Sequence, residues 1–182
     1  YREAGDFVLE PYEFMPQRKG NEVALTLRRD GMVNGQHVKV EKIISLFARQ
    51  SIANIVYEIT NLSKEKIDLW FGSEFNFSLL AGRADDRYYV IDDIDLDDRA
   101  LASKGIIDAA KCVKVVDEWK GLSVSLELEK AAEFWRFPIE TISRSESGFE
   151  KNYQSSVLFP NWKFSLEPGG KWQGKMTLRI ED

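Results

Sequence analysis

The residues from Ile67 to Leu79 alternate between apolar and polar side chains along thirteen positions. The odd positions are apolar with Ser73 as the exception, and they comprise Ile67, Leu69, Phe71, Phe75, Phe77 and Leu79. A period of two is the side-chain pattern of a β-strand with one face in a core. We therefore predict one strand, roughly 40 Å long at about 3.3 Å per residue. Its outer face carries Trp70, Glu74 and Asn76 where a simple solvated face often carries lysine.

Nearly every other periodic segment also has period two, which predicts an all-β chain folded as an antiparallel β-sandwich. The clearest segments cover residues 22–28, 52–61, 122–129 and 172–180. Turn signals separate them, among them Arg29-Asp30-Gly31 and Asn34-Gly35. No linker rich in proline, glycine or serine divides the chain, so we expect a single domain over residues 1–182.

Three segments depart from this pattern. Residues 98–111 give a weak helix signal, and Asp98 could cap a short turn through residues 100–104. The chain turns polar after Ile142, which predicts a loop over residues 143–150. Pro138 has no amide hydrogen to donate, so the strand that carries it must lie at an edge or bulge there.

Composition excludes several classes of function. The net charge of −5 argues against nucleic acid or an anionic membrane as partner. The only cysteine is Cys112 and the only histidine is His37, too few for an internal disulfide or a His/Cys zinc site. We expect His37 to be an exposed residue at a strand edge and Cys112 a buried small hydrophobe. No glycine pattern for phosphate occurs, and we expect no cofactor.

Sugar recognition needs flat aromatic rings against C–H faces and planar polar groups against hydroxyls. The aromatic rings could come from five tryptophans, Trp70, Trp119, Trp135, Trp162 and Trp172, of which Trp70 stands out because its alternation points away from the core. The planar polar groups could come from Glu74, Asn76, Arg136 and Glu140. Tryptophans also serve as core residues, and Glu74 with Asn76 could equally form a cross-strand network or meet another domain. A retaining glycosidase needs two carboxyls about 5–5.5 Å apart. Glu74 has no acidic neighbour on its strand face, and Glu140 could approach it only through the tertiary fold, so a catalytic pair in this chain is disfavoured.

An acidic run spaces Asp93, Asp95 and Asp97 at alternate positions. Oxygen ligands suit hard cations such as Ca²⁺, so these three are weak candidates for a metal site. The run lacks the central glycine and terminal glutamate of an EF-hand loop, which favours a solvated acidic loop.

Two sequence segments resemble the C-terminal β-domain of family-57 glycoside hydrolases of the α-amylase/4-α-glucanotransferase type. They are residues 71–82 (FGSEFNFSLLAG) and 135–150 (WRFPIETISRSESGFE). The resemblance implies a sandwich of the galactose-mutarotase-like, supersandwich type. It also implies a separate N-terminal barrel that holds the catalytic carboxylates, so none is carried over to this chain. The family's strong positions fall on Glu74, Asn76, Trp135, Arg136, Glu140 and Glu146, as sugar-binding or interdomain candidates. Aldose mutarotases use a histidine, and His37 lies outside both segments, which disfavours mutarotase activity.

The leading hypothesis is a non-catalytic domain of an α-glucan-processing enzyme, which packs on a catalytic barrel and helps to bind an α-1,4-glucan or maltooligosaccharide. One alternative is a purely structural interdomain module without sugar contact. A less favoured alternative is a free-standing carbohydrate-active enzyme. The chain opens with polar residues and has no signal peptide or initiator methionine, so we expect a fragment of a longer, cytoplasmic enzyme.

Overall fold

A computed structural model describes residues 3–91, 94–145 and 148–182 and contains eleven β-strands, with no helix among the described residues. The predicted all-β, antiparallel chain is confirmed. No described helix could cross a membrane. The strands are β1 (Glu13–Lys19), β2 (Glu22–Val33), β3 (Gln36–Phe47), β4 (Ile52–Asn61), β5 (Ile67–Gly72), β6 (Phe75–Phe77), β7 (Arg87–Ile91), β8 (Gly105–Asp117), β9 (Leu122–Ser145), β10 (Gly148–Leu166) and β11 (Lys171–Glu181).

The residues group into two compact units. Unit 1 comprises Tyr1–Trp70, Leu128–Lys130 and Lys163–Arg179. Unit 2 comprises Phe71–Glu127, Ala131–Trp162 and Ile180–Asp182. The long strands β9 and β10 therefore each contribute residues to both units.

Unit 1 is built on the antiparallel meander of β1, β2, β3 and β4, with β11 paired to β4. Its core side chains include Val38, Ile59 and Met176, each no more than 2% exposed. The predicted turn at Asn34-Gly35 is confirmed, with φ values of 48° and 81°. Positive φ at both central residues suits the right-handed twist of the two strands it joins.

The turn predicted at Arg29-Asp30-Gly31 is wrong, because β2 continues through these residues to Val33. Gly31 serves close packing here, since a Cβ on it would lie 2.4 Å from the Asp6 carboxylate. That carboxylate accepts the backbone N–H of Met32 at 3.0 Å and pairs with Arg29 at 3.1 Å. The glycine thus lets the N-terminal segment approach a strand.

Unit 2 contains antiparallel pairs of β7 with β8, β8 with β9, β9 with β10, and β10 with β6. Its core includes the fully buried Val113, Leu126, Phe134 and Val157. Pro138 pairs with Ser156 of β10, whereas the pairing of β9 with β8 ends at Arg136. The prediction that proline lies on an edge is confirmed for this side of the strand.

The single strand predicted over residues 67–79 is wrong in length, because β5 ends at Gly72 and β6 begins at Phe75. Ser73 leaves the ladder and donates its backbone N–H to the Pro160 carbonyl at 3.1 Å, and its side chain is buried. The alternation itself is confirmed. The odd positions are buried or half-buried, and the even positions are exposed except for half-buried Gly72.

The helix expected over residues 98–111 is also wrong. Asp98 does cap a short turn, by accepting the Ala100 N–H at 3.0 Å, but β8 begins at Gly105. The predicted loop over residues 143–150 is instead hairpin strand wherever the structure describes it. His37 is exposed as expected, whereas Cys112 is half-buried.

Candidate functional site

Glu74 and Asn76 form an exposed polar pair in unit 2. Glu74 lies in the break after β5, and Asn76 lies on β6 opposite Val157 of β10. The Asn76 amide donates to Glu74 Oε1 at 2.9 Å. This bond fixes two planar groups side by side, and each group keeps further hydrogen-bonding capacity, namely a second carboxylate oxygen, an amide oxygen and a second N–H. Such a pair can bridge neighbouring hydroxyls of a ligand.

Trp70 belongs to unit 1 and points outward as predicted, with 41% of its surface exposed. The ammonium group of Lys163 lies 4.8 Å from the centroid of its ring. A cation over an indole face is attracted by the ring quadrupole. The lysine therefore covers part of the surface that a sugar would use.

Trp135 is half-buried and is used for packing within unit 2. Its indole N–H donates to Glu133 at 2.7 Å, and its ring lies 5.6 Å from that of Phe159. The Phe159 ring in turn occupies the space beside Gly72, where an added Cβ would lie 2.2 Å from it. Trp135 is thus a packing residue, and it contacts Phe159, which lies against the end of β5 at Gly72.

Arg136 and Glu140 have different partners, although alternation places them on one strand face. Arg136 is 7% exposed, donates to the Ser103 hydroxyl and lies 5.6 Å from the Tyr89 ring centroid. Burial lowers the pKa of its guanidinium. Glu140 is exposed and lies 4.0 Å from Lys151. The structure thus makes Arg136 an interior residue and leaves Glu140 on the surface.

The remaining predicted candidates are acidic. Glu146 and Asp93 lie outside the described residues. Asp95 and Asp97 are exposed. Within the described part of the chain, no group of three or more His, Cys, Asp or Glu side chains is arranged to hold a metal ion.

A cleft of about 410 Å³ opens in unit 2 beside β7. Its charged and aromatic lining residues are Arg83, Asp85, Arg87, Tyr88, Asp97, Asp98 and Arg99. The Arg99 guanidinium lies 4.0 Å from the centroid of the Tyr88 ring, and Arg83 pairs with Asp98 at 3.2 Å. Planar donors and acceptors are therefore held in fixed positions along this cleft.

A family model described as "Alpha-amylase/4-alpha-glucanotransferase, C-terminal" matches residues 1–176. The chain belongs to this family. An α-amylase of Dictyoglomus thermophilum is 34% identical over 180 residues, which are 96% of this chain and 24% of that protein. The chain therefore spans about a quarter of the length of this relative.

Solved structures place the fold of this α-amylase/4-α-glucanotransferase C-terminal chain. The 4-α-glucanotransferase of Thermococcus litoralis matches with a TM-score of 0.70 and 27% identity, over 98% of this chain and 24% of that one. A galactose mutarotase-like protein of Clostridium acetobutylicum matches with a TM-score of 0.63 and 14% identity, over 94% of this chain and 66% of that one. The predicted galactose-mutarotase-like sandwich is confirmed.

Sequence reasoning did not single out the cleft in this family member. Its residues come from two segments, 83–88 and 97–100, that only the fold brings together. The sequence had marked two of them, Asp97 as a metal candidate and Asp98 as a cap, for other reasons.

Trp119, which lies in the turn between β8 and β9, was named only as one of five tryptophans. Its position between Glu118 and Lys120 was the available signal, since an aromatic residue in a polar turn has no strand face on which to be buried.

The buried Tyr89 predicts a pH dependence at high pH. It is 2% exposed, and burial raises the pKa of its hydroxyl from 10.0 to about 12. The unfolded chain then loses this proton first, so the stabilisation is complete below about pH 10 and is lost as pH rises to about 12. The loss amounts to at most about 3 kcal/mol over two pH units.

Urea unfolding at several pH values between 9 and about 12 measures the slope of the free energy of unfolding against pH. Tyr89→Phe is expected to make this slope smaller. Part of the slope remains, because burial also raises the pKa values of Tyr12 and Tyr153. An unchanged slope in Tyr89→Phe would contradict the assignment.

Proposed function

We propose that this chain is a non-catalytic β-sandwich domain of an α-glucan-processing enzyme, where it packs on a catalytic barrel and contributes to binding of an α-1,4-glucan or maltooligosaccharide. Family membership over residues 1–176 supports the placement within such an enzyme. The relatives named above are an α-amylase and a 4-α-glucanotransferase, which supports hydrolysis or transfer of α-glucan as the proposed reaction of the parent enzyme.

The observation that carries the sugar-binding part is the exposed hydrogen-bonded pair of Glu74 and Asn76, 2.9 Å apart. A carboxylate and an amide held side by side match two adjacent hydroxyls of a pyranose, one as donor and one as acceptor. Because the pair is already bonded, little side-chain freedom is lost on binding.

A binding role suits these carboxylates better than a catalytic one. A retaining pair needs two carboxyls about 5–5.5 Å apart. Glu74 contacts the amide of Asn76 and Glu140 the ammonium group of Lys151, so the observed partner of each is not a second carboxyl.

The second candidate is a purely structural module, and Trp70 favours it. Lys163 lies over its ring, and Trp135 packs on Phe159, so two of the predicted aromatic positions have partners within their own units. In this alternative the exposed polar pair meets another domain and never a sugar.

Titration of the folded chain with maltoheptaose in a calorimeter separates the two. We expect millimolar or tighter binding, weakened about fivefold in Asn76→Ala because a hydrogen bond to a hydroxyl is worth about 1 kcal/mol. Asn152→Ala is the matched control, since Asn152 is also an exposed asparagine whose amide donates to one side chain, Ser143 at 2.8 Å.

Absence of any heat at millimolar maltoheptaose, with the chain folded, would favour the structural module. Hydrolysis or transfer of maltodextrin by the chain alone, lost in Glu74→Gln, would overturn the non-catalytic assignment and favour the free-standing enzyme.

A further inference from the structure

Trp119 is the most exposed tryptophan among the described large apolar side chains, with 74% of its surface open. It lies in the turn that joins β8 to β9. The turn is held from inside, because Asp117 accepts the Lys120 N–H at 3.0 Å and Gly121 donates its N–H to the Glu118 carbonyl at 3.1 Å. Gly121 has a φ of 64°, which glycine adopts without strain. The indole is thus presented on a fixed backbone.

The same turn is anchored to the wall of the cleft beside β7. Glu118 donates its backbone N–H to the Asp86 carbonyl at 2.8 Å, and its carboxylate accepts the Tyr88 hydroxyl at 2.7 Å. Tyr88 lines the cleft and carries the Arg99 guanidinium on its ring. The hydrogen bonds of Glu118 therefore connect the turn that carries Trp119 to Tyr88 in the lining of the cleft.

The lining of the cleft selects against an anionic ligand. Its three arginines, Arg83, Arg87 and Arg99, are accompanied by three aspartates, Asp85, Asp97 and Asp98. Arg87 also pairs with Asp86 at 3.0 Å and Asp117 at 3.2 Å, so acidic groups outnumber the arginines and a phosphate is disfavoured relative to a neutral molecule. Arginine only donates and carboxylate only accepts, and together they satisfy hydroxyls, which do both.

The volume of the cleft and the planar groups around it restrict the class of ligand further. About 410 Å³ falls in the range of small-molecule sites, about 300–1,000 Å³. The Arg99 guanidinium, stacked 4.0 Å from the Tyr88 ring centroid, is a rigid fork for two neighbouring hydroxyls. The exposed indole of Trp119 offers a flat apolar face to the C–H side of a sugar ring.

We infer that Trp119, together with the cleft lined by Tyr88 and Arg99, binds a neutral pyranose chain, and that this is a second α-glucan site built from other residues than Glu74 and Asn76. The choice of α-glucan among pyranose chains rests on the proposed function. The site would hold a chain on the surface of unit 2, with the indole against one glucosyl unit and the arginine fork at the hydroxyls of another.

Calorimetric titration of the folded chain with maltoheptaose tests this, with cellohexaose as the β-linked control. Trp119→Ala is expected to weaken one binding event at least about tenfold, equivalent to about 1.4 kcal/mol. Arg99→Met, which keeps an apolar side chain over Tyr88 but removes the fork, is expected to act in the same direction. Phe149→Ala is the matched control, since Phe149 is an exposed aromatic residue at 81% on the β9–β10 hairpin.

The variants distinguish the two sites. A loss in Trp119→Ala and Arg99→Met, with Phe149→Ala unchanged, supports this inference whether or not Asn76→Ala has an effect. A loss in Asn76→Ala alone overturns it and leaves the proposed function standing. No binding by the unaltered chain, or equal losses in Phe149→Ala, overturns it as well, and tighter binding of cellohexaose would replace the α-glucan by a β-linked one.

Discussion

Replacing Asp117 with alanine is expected to lower the free energy of unfolding by about 3–5 kcal/mol. Asp117 is fully buried and lies 3.2 Å from Nε of Arg87, whose side chain is 8% exposed. The two atoms are at ion-pair distance without the alignment of a hydrogen bond. Removal of the carboxylate leaves a buried guanidinium with Asp86 at 3.0 Å, and also frees the Lys120 N–H of the Trp119 turn.

Chemical denaturation measures the change, and two variants control it. Asp86→Ala removes the partly exposed partner of Arg87 and is expected to cost no more than about 1 kcal/mol. The double change Arg87→Met with Asp117→Leu is expected to cost less than Asp117→Ala alone, because apolar residues of similar volume replace a buried pair well. A loss below about 1 kcal/mol in Asp117→Ala would show that the buried pair has no such role.

Replacing Asn61 with alanine is expected to cost about 3 kcal/mol, because it removes four hydrogen bonds, one of them to a buried carbonyl and three to partly buried groups. Its side chain is fully buried and donates to the carbonyls of Glu65 at 2.7 Å and Leu166 at 2.9 Å. It also accepts the N–H and the hydroxyl of Ser63 at 2.9 and 2.7 Å. One amide thus joins the end of β4 to the following turn and to the end of β10.

Asn54→Ala on the same strand is the matched control. Asn54 is half-buried and its side-chain oxygen accepts the Thr177 hydroxyl at 3.1 Å, so a loss of about 1 kcal/mol or less is expected. Equal losses in the two variants would mean that the network around Asn61 contributes nothing beyond one hydrogen bond.

Alternation predicted the strands well because burial on one face imposes it directly. Residues 52–61 form β4 as expected, with Ile55, Tyr57 and Ile59 buried. Sequence patterns, both turn signals and alternation, gave the wrong structure where a tertiary contact opposes the local pattern. Gly31 signals a turn by composition, yet it lies within a strand because the Asp6 segment needs its space. The same holds for Ser73, whose backbone bond to Pro160 ends the strand that the pattern continues.

The candidate site was predicted only in part. Alternation along a strand fixes which side chains point outward, so the predicted exposure of Trp70, Glu74 and Asn76 is confirmed. Alternation does not show which side chains contact one another. For that reason the lysine over Trp70 and the burial of Arg136 were not predicted. Whether these side chains bind sugar, whether residues 1–182 form one domain and whether the enzyme is cytoplasmic stay predictions.

The division of β9 and β10 between both units limits how this domain can be dissected. Unit 1 takes Leu128–Lys130 from the middle of β9, and unit 2 takes the residues on either side. No single cut in the polypeptide separates the two units, because residues of unit 1 lie on both sides of Phe71–Glu127 in the sequence. Point substitutions at Asn76 and Trp119, which change a side chain and leave every strand intact, are therefore the informative way to assign the two proposed sugar contacts.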